Sequence, residues 1–161
     1  MTLWLEDLVV GDRHVSPSRT LSEHDLLAFA AVSGDHHPLH TDHDAAVALG
    51  FPGRVLHGVL GLAALTGLVD SAGWFDRSVV AMLGIEDWRF TAPLLVGVRV
   101  HAEMTVVGNR PARRRGTGVV DRAFRLLTDD GVVAQQGRIP ALIARRPHPS
   151  ENERTVRCSE A

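Results

Sequence analysis

Cysteine is almost missing from this sequence. The one residue, Cys158, lies in a polar stretch, so no internal disulfide can form and a reducing compartment is compatible. An excess of one charge sign is missing too. The formal net charge is −2, which sets aside a nucleic-acid binder, whose domain normally carries a clear basic surplus. No apolar run approaches the ~20 residues needed to cross a bilayer. The longest, Gly58 to Val69, is bounded by His57 and Asp70. The amino terminus carries Glu6 and Asp7 where a targeting leader has a basic stretch followed by an apolar one. These absences lead us to expect a cytoplasmic protein with no membrane or nucleic-acid partner. What remains is ordinary: 161 residues, 45% hydrophobic and 22% charged, enough for one buried core.

Two periodicities divide the chain. The first half reads as helices and loops, the second as strands. Ser22-Glu23-His24-Asp25 has the form of a helix start, with Ser22 as cap and acids in the first turn. Leu26, Leu27, Phe29, Ala30 and Val32 follow at helical spacing, and Gly34 ends the run. A second short helix is expected from Asp42 through Leu49, terminated by Gly50. The segment from Gly58 to about Gly73 is apolar on every face, so its helix should be buried all round. From Val79 onward the pattern is that of strands. Val98, Val100, Ala102, Met104 and Val106 alternate with polar residues. Asn109 to Arg115 reads as a polar turn, Gly118 to Thr128 as a strand, and Asp129-Asp130-Gly131 as a tight hairpin connection. A last strand is expected from about Val132 to Ala144, bent near Gly137 and Pro140. A buried helix followed by long antiparallel strands implies an α+β architecture, a sheet wrapped around a helix.

Chemistry concentrates in Ser33-Gly34-Asp35-His36-His37-Pro38-Leu39-His40. Pro38 disfavours helix at His37, so the segment should be a rigid loop between two helix ends. Asp35 and His40 are five residues apart on it. A carboxylate and an imidazole held together can position and deprotonate water, and the imidazole reference pKa of about 6.5 suits proton transfer near neutrality. Adding water to a conjugated thioester also requires a donor for the developing enolate. Backbone amides at a helix start can supply one, and His57-Gly58 opens the apolar helix.

The loop, followed by Ala45-Ala46 and then Val55-Leu56-His57-Gly58, resembles the signature of R-specific enoyl-CoA hydratases and MaoC-like dehydratases. That pattern reads Ser-Gly-Asp-x-Asn-Pro-aliphatic-His, with His-Gly later at the start of the central helix. Leu5 to Asp12 resembles the family's opening strand and turn, and Trp88 to Pro93 the strand before its Phe-x-x-Pro turn. The resemblance implies a hotdog fold over residues 1–145, an antiparallel sheet wrapped around a long central helix. A polar, disordered tail is expected over 146–161. It implies that Asp35 and His40 bind the water added or removed, and that the Gly58 amide holds the thioester oxygen. It places Thr66 where hydratases carry a small hydroxyl residue near the catalytic aspartate, and His37 and His57 beside the substrate. No cofactor is implied beyond coenzyme A or an acyl carrier as the substrate's handle. The partner to expect is a second copy, as a homodimer or higher homo-oligomer.

Two departures concern the substrate. His37 stands in place of the loop asparagine, and Gly97-Val98 in place of a frequent Gly-Asp. A tailoring dehydratase acting on an unusual acyl-CoA or carrier-protein thioester is therefore open beside a fatty-acid enzyme. A hotdog thioesterase is an alternative, but its carboxylate generally lies on the central helix and Gly58 to Val69 has none. A non-catalytic acyl-thioester-binding subunit is the other. His36, His37, His40 and His43 invite a metal, yet Pro38 breaks the helical spacing and no cysteine completes a ligand set, so none is expected. Arg113-Arg114-Arg115 reads either as a solvated hairpin tip or as a contact for coenzyme A phosphates.

Overall fold

The computed structural model describes residues 1–147. Eight strands form one antiparallel sheet: β1 Arg13–Val15, β2 Arg19–Thr20, β3 Val79–Met82, β4 Glu86–Phe90, β5 Arg99–Pro111, β6 Thr117–Thr128, β7 Val133–Arg138 and β8 Ala141–Ala144. The helices are α1 Glu23–Ser33, α2 Pro38–Thr41, α3 His43–Ala48 and α4 Gly58–Ser71. The backbone of the sheet is β1-β5-β6-β7-β4, with β2 also on β5, and β8 bridging β6 to β3.

The long hairpin β5–β6 organises everything else. Val100, Ala102, Met104 and Val106 on β5 are fully buried, as are Val120 and Leu126 on β6, with Phe124 nearly so. They meet Leu60, Leu65 and Leu68 of α4 in one apolar cluster. The alternation read from Val98 onward thus lies face-down on the helix, because strand side chains repeat every second residue.

Several expectations are corrected. The first half does contain strands: β1 and β2 are short edges held by β5, Arg13 opposite Thr105 and Arg19 opposite Val100. The opening segment holds a 3-10 turn at Leu5–Asp7 and reaches strand only at Arg13. β5 runs on to Pro111, which shortens the expected polar turn. The last strand is two strands, since the chain breaks at Ile139-Pro140. β7 pairs with the second half of β6, Ala123 to Leu127, and β8 with its first half, Thr117 to Val120. The helix at Gly58 is not buried all round within one chain: Val59 is exposed, as are Ala63, Thr66 and Gly67 along the same face. Of the tail expected over 146–161, residues 148–161 lie outside those described. Arg146 is tied down, its amide donating to Glu6 Oε2 at 3.0 Å and its guanidinium to both Asp7 oxygens.

Gln135 on β7 fastens the sheet to the start of α4. Its Nε2 donates to the Gly58 carbonyl at 2.9 Å, and its Oε1 accepts from Trp88 Nε1 at 3.2 Å. Gly61 makes room for it, because a Cβ there would strike the Gln135 amide and Leu94. Gln135→Leu leaves two polar groups without partners, so we expect a loss of about 1–3 kcal/mol in chemical unfolding. An unchanged midpoint contradicts this account.

Candidate active site

Local structure places Asp35 and His40 independently of one another. Ser22 caps α1, its hydroxyl accepting from the Asp25 amide while Asp25 Oδ2 accepts from the Ser22 amide at 2.8 Å. At the other end Gly34 adopts φ 73°, the left-handed conformation that glycine enters without steric cost. That reversal presents Asp35 immediately after the helix. The segment is not a loop throughout: Pro38–Thr41 forms one turn of helix, so His40 sits on helical backbone. Pro38 occupies the first helical position, where no amide proton is needed. His37 Nδ1 accepts from the Leu39 amide at 3.2 Å, which makes His37 the cap of that turn.

The hydrogen bonds assign tautomers. A carbonyl can only accept, so His40 Nδ1 donates to Val55 O at 2.7 Å and its Nε2 is the free nitrogen of the neutral ring. That Nε2 lies 3.9 Å from Asp35 Oδ2. By the same reasoning His57 Nε2 donates to the Asp35 main-chain oxygen at 2.9 Å. His57 is buried, stacks on His40 with ring centroids 3.8 Å apart, and packs beside Phe29. It therefore locks the Asp35 backbone and one face of the His40 ring. Its Nδ1 is buried with no partner among the described residues. The family resemblance implies only a place beside the substrate for His57, and its position directly before the helix is the local signal for this bracing.

Asp35 is exposed, and its carboxyl is held below the ordinary range. The main cause is the His37 amide donating to Oδ1 at 3.2 Å. Desolvation opposes this, and the positive charge of His40, His57 and His37, when protonated, adds to the lowering. The native state thus binds this proton less tightly than the unfolded chain. Its stabilising contribution is complete above the unfolded value near 3.9 and disappears as pH falls through the lower native one. A carboxyl-carbon NMR titration of Asp35 should give a midpoint below about 3.9. A midpoint above that value excludes the His37 contact.

Gly58 begins α4, capped by His57 without any side-chain bond to the first amides. Its N–H has no partner among the described residues and points outward from the helix start, where the peptide dipoles favour negative charge. An added Cβ would lie 2.8 Å from the Phe90 ring, so any larger residue here requires that exposed ring to shift. A cavity of about 470 Å³ opens here, lined by His40, Gly58, Phe51, Phe90 and Leu94 among others. The structure thus gathers Asp35, His40, His57 and Gly58. Thr66 is not among them within one chain. It stands more than two turns farther along α4, donates to the Ala63 carbonyl at 2.7 Å and lines another cavity.

Asp35, His40 and His57 each offer a ligand atom within 4.8 Å of the others, a spacing that a metal could use. His57 Nε2 already spends its proton on the Asp35 carbonyl, so that nitrogen has no lone pair to give. Among the described residues no helix is long and apolar enough to cross a membrane.

Residues 9–124 match the MaoC like domain family. Protein MaoC of Klebsiella aerogenes is 38% identical over 63% of this chain, which spans 30% of that protein's length. An (R)-specific enoyl-CoA hydratase of Rhodospirillum rubrum is 30% identical over 69% of this chain and 74% of its own. Among solved structures, a MaoC-like dehydratase from Rhodospirillum rubrum superposes with a TM-score of 0.79 at 29% identity, covering 91% of this chain and 99% of the other. A Mycobacterium tuberculosis protein with a double hotdog fold has a TM-score of 0.77 at 23% identity, covering 91% of this chain and 45% of the other, a likeness of fold alone. The chain folds as a hotdog and belongs to the MaoC-like domain family.

Proposed function

We propose that this protein is a lyase that adds water to a trans-2-enoyl thioester or removes it from the (R)-3-hydroxyacyl thioester. The observation that carries the proposal is the 3.9 Å gap between Asp35 Oδ2 and the free Nε2 of His40, beside the unpaired Gly58 amide. Water between the carboxylate and the imidazole loses a proton to the pair as its oxygen bonds to C3. The π electrons move onto the thioester oxygen, where the Gly58 N–H stabilises the charge. Collapse of that enolate takes a proton from the pair at C2. His57 is a positioning residue, acting through Asp35 and His40. The mostly apolar cavity suits an acyl chain, with coenzyme A or a carrier as handle and no other cofactor. The exposed face of α4 and the exposed strand β3 favour a homodimer. A cytoplasmic setting for this reaction is supported by the single cysteine, which suits a reducing compartment.

The deciding experiment follows enoyl absorbance and free thiol together with trans-2-enoyl-CoA. Loss of absorbance without thiol release is the expected result. Thiol release points to a thioesterase. Silence in both, across chain lengths, points to a binding subunit.

A further inference from the structure

His37 stands where the family pattern carries asparagine, and its ring caps α2. Asparagine is a preferred N-cap because its side-chain oxygen accepts from the first free amides. His37 does the same with Nδ1, which accepts from the Leu39 amide at 3.2 Å. Its own amide meanwhile donates to Asp35 Oδ1 at 3.2 Å. The two side chains differ in one respect. An amide oxygen keeps its lone pairs, whereas imidazole changes charge between about pH 5 and 8, and the cation has no lone pair left. Neutral His37 therefore carries its proton on Nε2, and a protonated ring cannot cap. The ring is exposed, so once charged it is free to turn into water.

The turn under this cap carries His40. At four residues, α2 is too short to hold itself by helix propagation. Its other ties are the Thr41 hydroxyl, 3.3 Å from the carbonyls of His36 and His37, and the bonds of His40 Nδ1 and the Leu39 carbonyl to the Val55 main chain. The ionisable groups closest to the His37 ring are Asp35, from the turn after α1, and His40, whose ring stands edge-on with centroids 6.3 Å apart. From the start of α4, His57 reaches Asp35 at 3.8 Å. α3 packs against α2 and brings His43 and Asp44, with Asp42 at its cap taken up by the Asp44 and Ala45 amides. Among the described residues none of these forms an ion pair with His37. Positive charge on His37 favours the Asp35 carboxylate, so acid acting at His37 does not work by neutralising Asp35. We propose that His37 is a positioning residue for the hydration: its neutral ring caps the turn that sets His40 against Asp35, and its protonation releases that turn. The effect on rate rests on the lyase reading, while the capping does not. Two protonations then act against turnover in acid, one removing the base at His40 and one removing the cap. With asparagine at position 37 only the first remains.

Two measurements on the full chain test this. In a nitrogen NMR titration of the histidine rings, neutral His37 should carry its proton on Nε2, and the Leu39 amide resonance should move as His37 titrates. His37→Asn should abolish that movement. A Leu39 amide that ignores His37, or a neutral ring protonated on Nδ1, overturns the proposal. The second measurement is the pH profile of trans-2-enoyl-CoA hydration. On the acid side, log kcat/KM should fall with a limiting slope of about two in the wild type and about one in His37→Asn. Near pH 8, His37→Ala should lower kcat roughly tenfold with KM little changed, the loss of one N-cap expressed as a rate. His37→Asn should recover most of that loss. Equal acid slopes in wild type and His37→Asn, or equal kcat in wild type and His37→Ala, overturn the positioning role. If no enoyl thioester turns over at any pH, the lyase reading fails and the rate effect with it, whereas the Leu39 resonance decides the cap by itself.

Discussion

Asp35→Asn should lower kcat/KM by about 10²- to 10⁴-fold with the unfolding midpoint nearly unchanged, the range for losing one partner in proton transfer. The amide oxygen can still accept from the His37 N–H, so the turn after Gly34 keeps its shape. The negative charge 3.9 Å from His40 Nε2 is lost, and with it the means to hold water for deprotonation. Asp35 is exposed and outside the apolar cluster, so folding has little at stake there. His40→Ala should produce a loss of similar size. The double variant should be little worse than either single one, because the two groups act as a unit. Steady-state hydration rates on all three variants check this. Normal turnover in either single variant removes the proposed mechanism, and multiplicative losses remove the coupling.

Phe124→Ala should destabilise the protein by about 3–5 kcal/mol, the cost of removing a buried aromatic side chain. Phe124 is 2% exposed at the middle of β6, opposite Met104 of β5 and Gly137 of β7. Its ring also lies beside the Arg122 guanidinium. The alanine variant therefore opens a void and strips one wall from a buried cation. Against a total stability of roughly 5–15 kcal/mol, such a loss should leave the fold marginal. Calorimetric or denaturant unfolding reads it directly. A loss below about 1 kcal/mol would mean that the neighbourhood collapses to fill the space.

These two predictions differ in how visible their residues are in the sequence. Asp35 and His40 stand out because proton chemistry requires those residue types, and Gly34 and Pro38 mark their backbone setting. The start of α1 is equally legible, since Ser22 and Asp25 cap it by local hydrogen bonds. Gly58 is legible as a helix start, although its tight contact with Phe90 joins residues 32 positions apart. Other features have no local signal. β1 and β2 exist because β5 offers them backbone partners, and two or three residues carry no periodicity of their own. The final strand divides because β6 can pair with two successive segments when Pro140 interrupts the ladder. Gln135 looks like any polar strand residue until Gly61 clears a path to the Gly58 carbonyl. Thr66 lies on the exposed face of α4, and the rise of the helix carries it away from Asp35 within one chain.

By itself the sequence determined the α+β class, the apolar central helix, the capped entry into the turn that carries Asp35 and the types of group gathered there. Those properties depend on local periodicity, capping and intrinsic chemistry, all written within a few residues of one another. Only the tertiary structure decided which nitrogen of His40 is free, that His57 braces Asp35 from behind, and that the buried Arg122 guanidinium lies between the rings of Phe75 and Phe124. Each of these depends on a partner brought in from a distant strand or helix, and long-range pairing leaves no trace in the neighbouring residues.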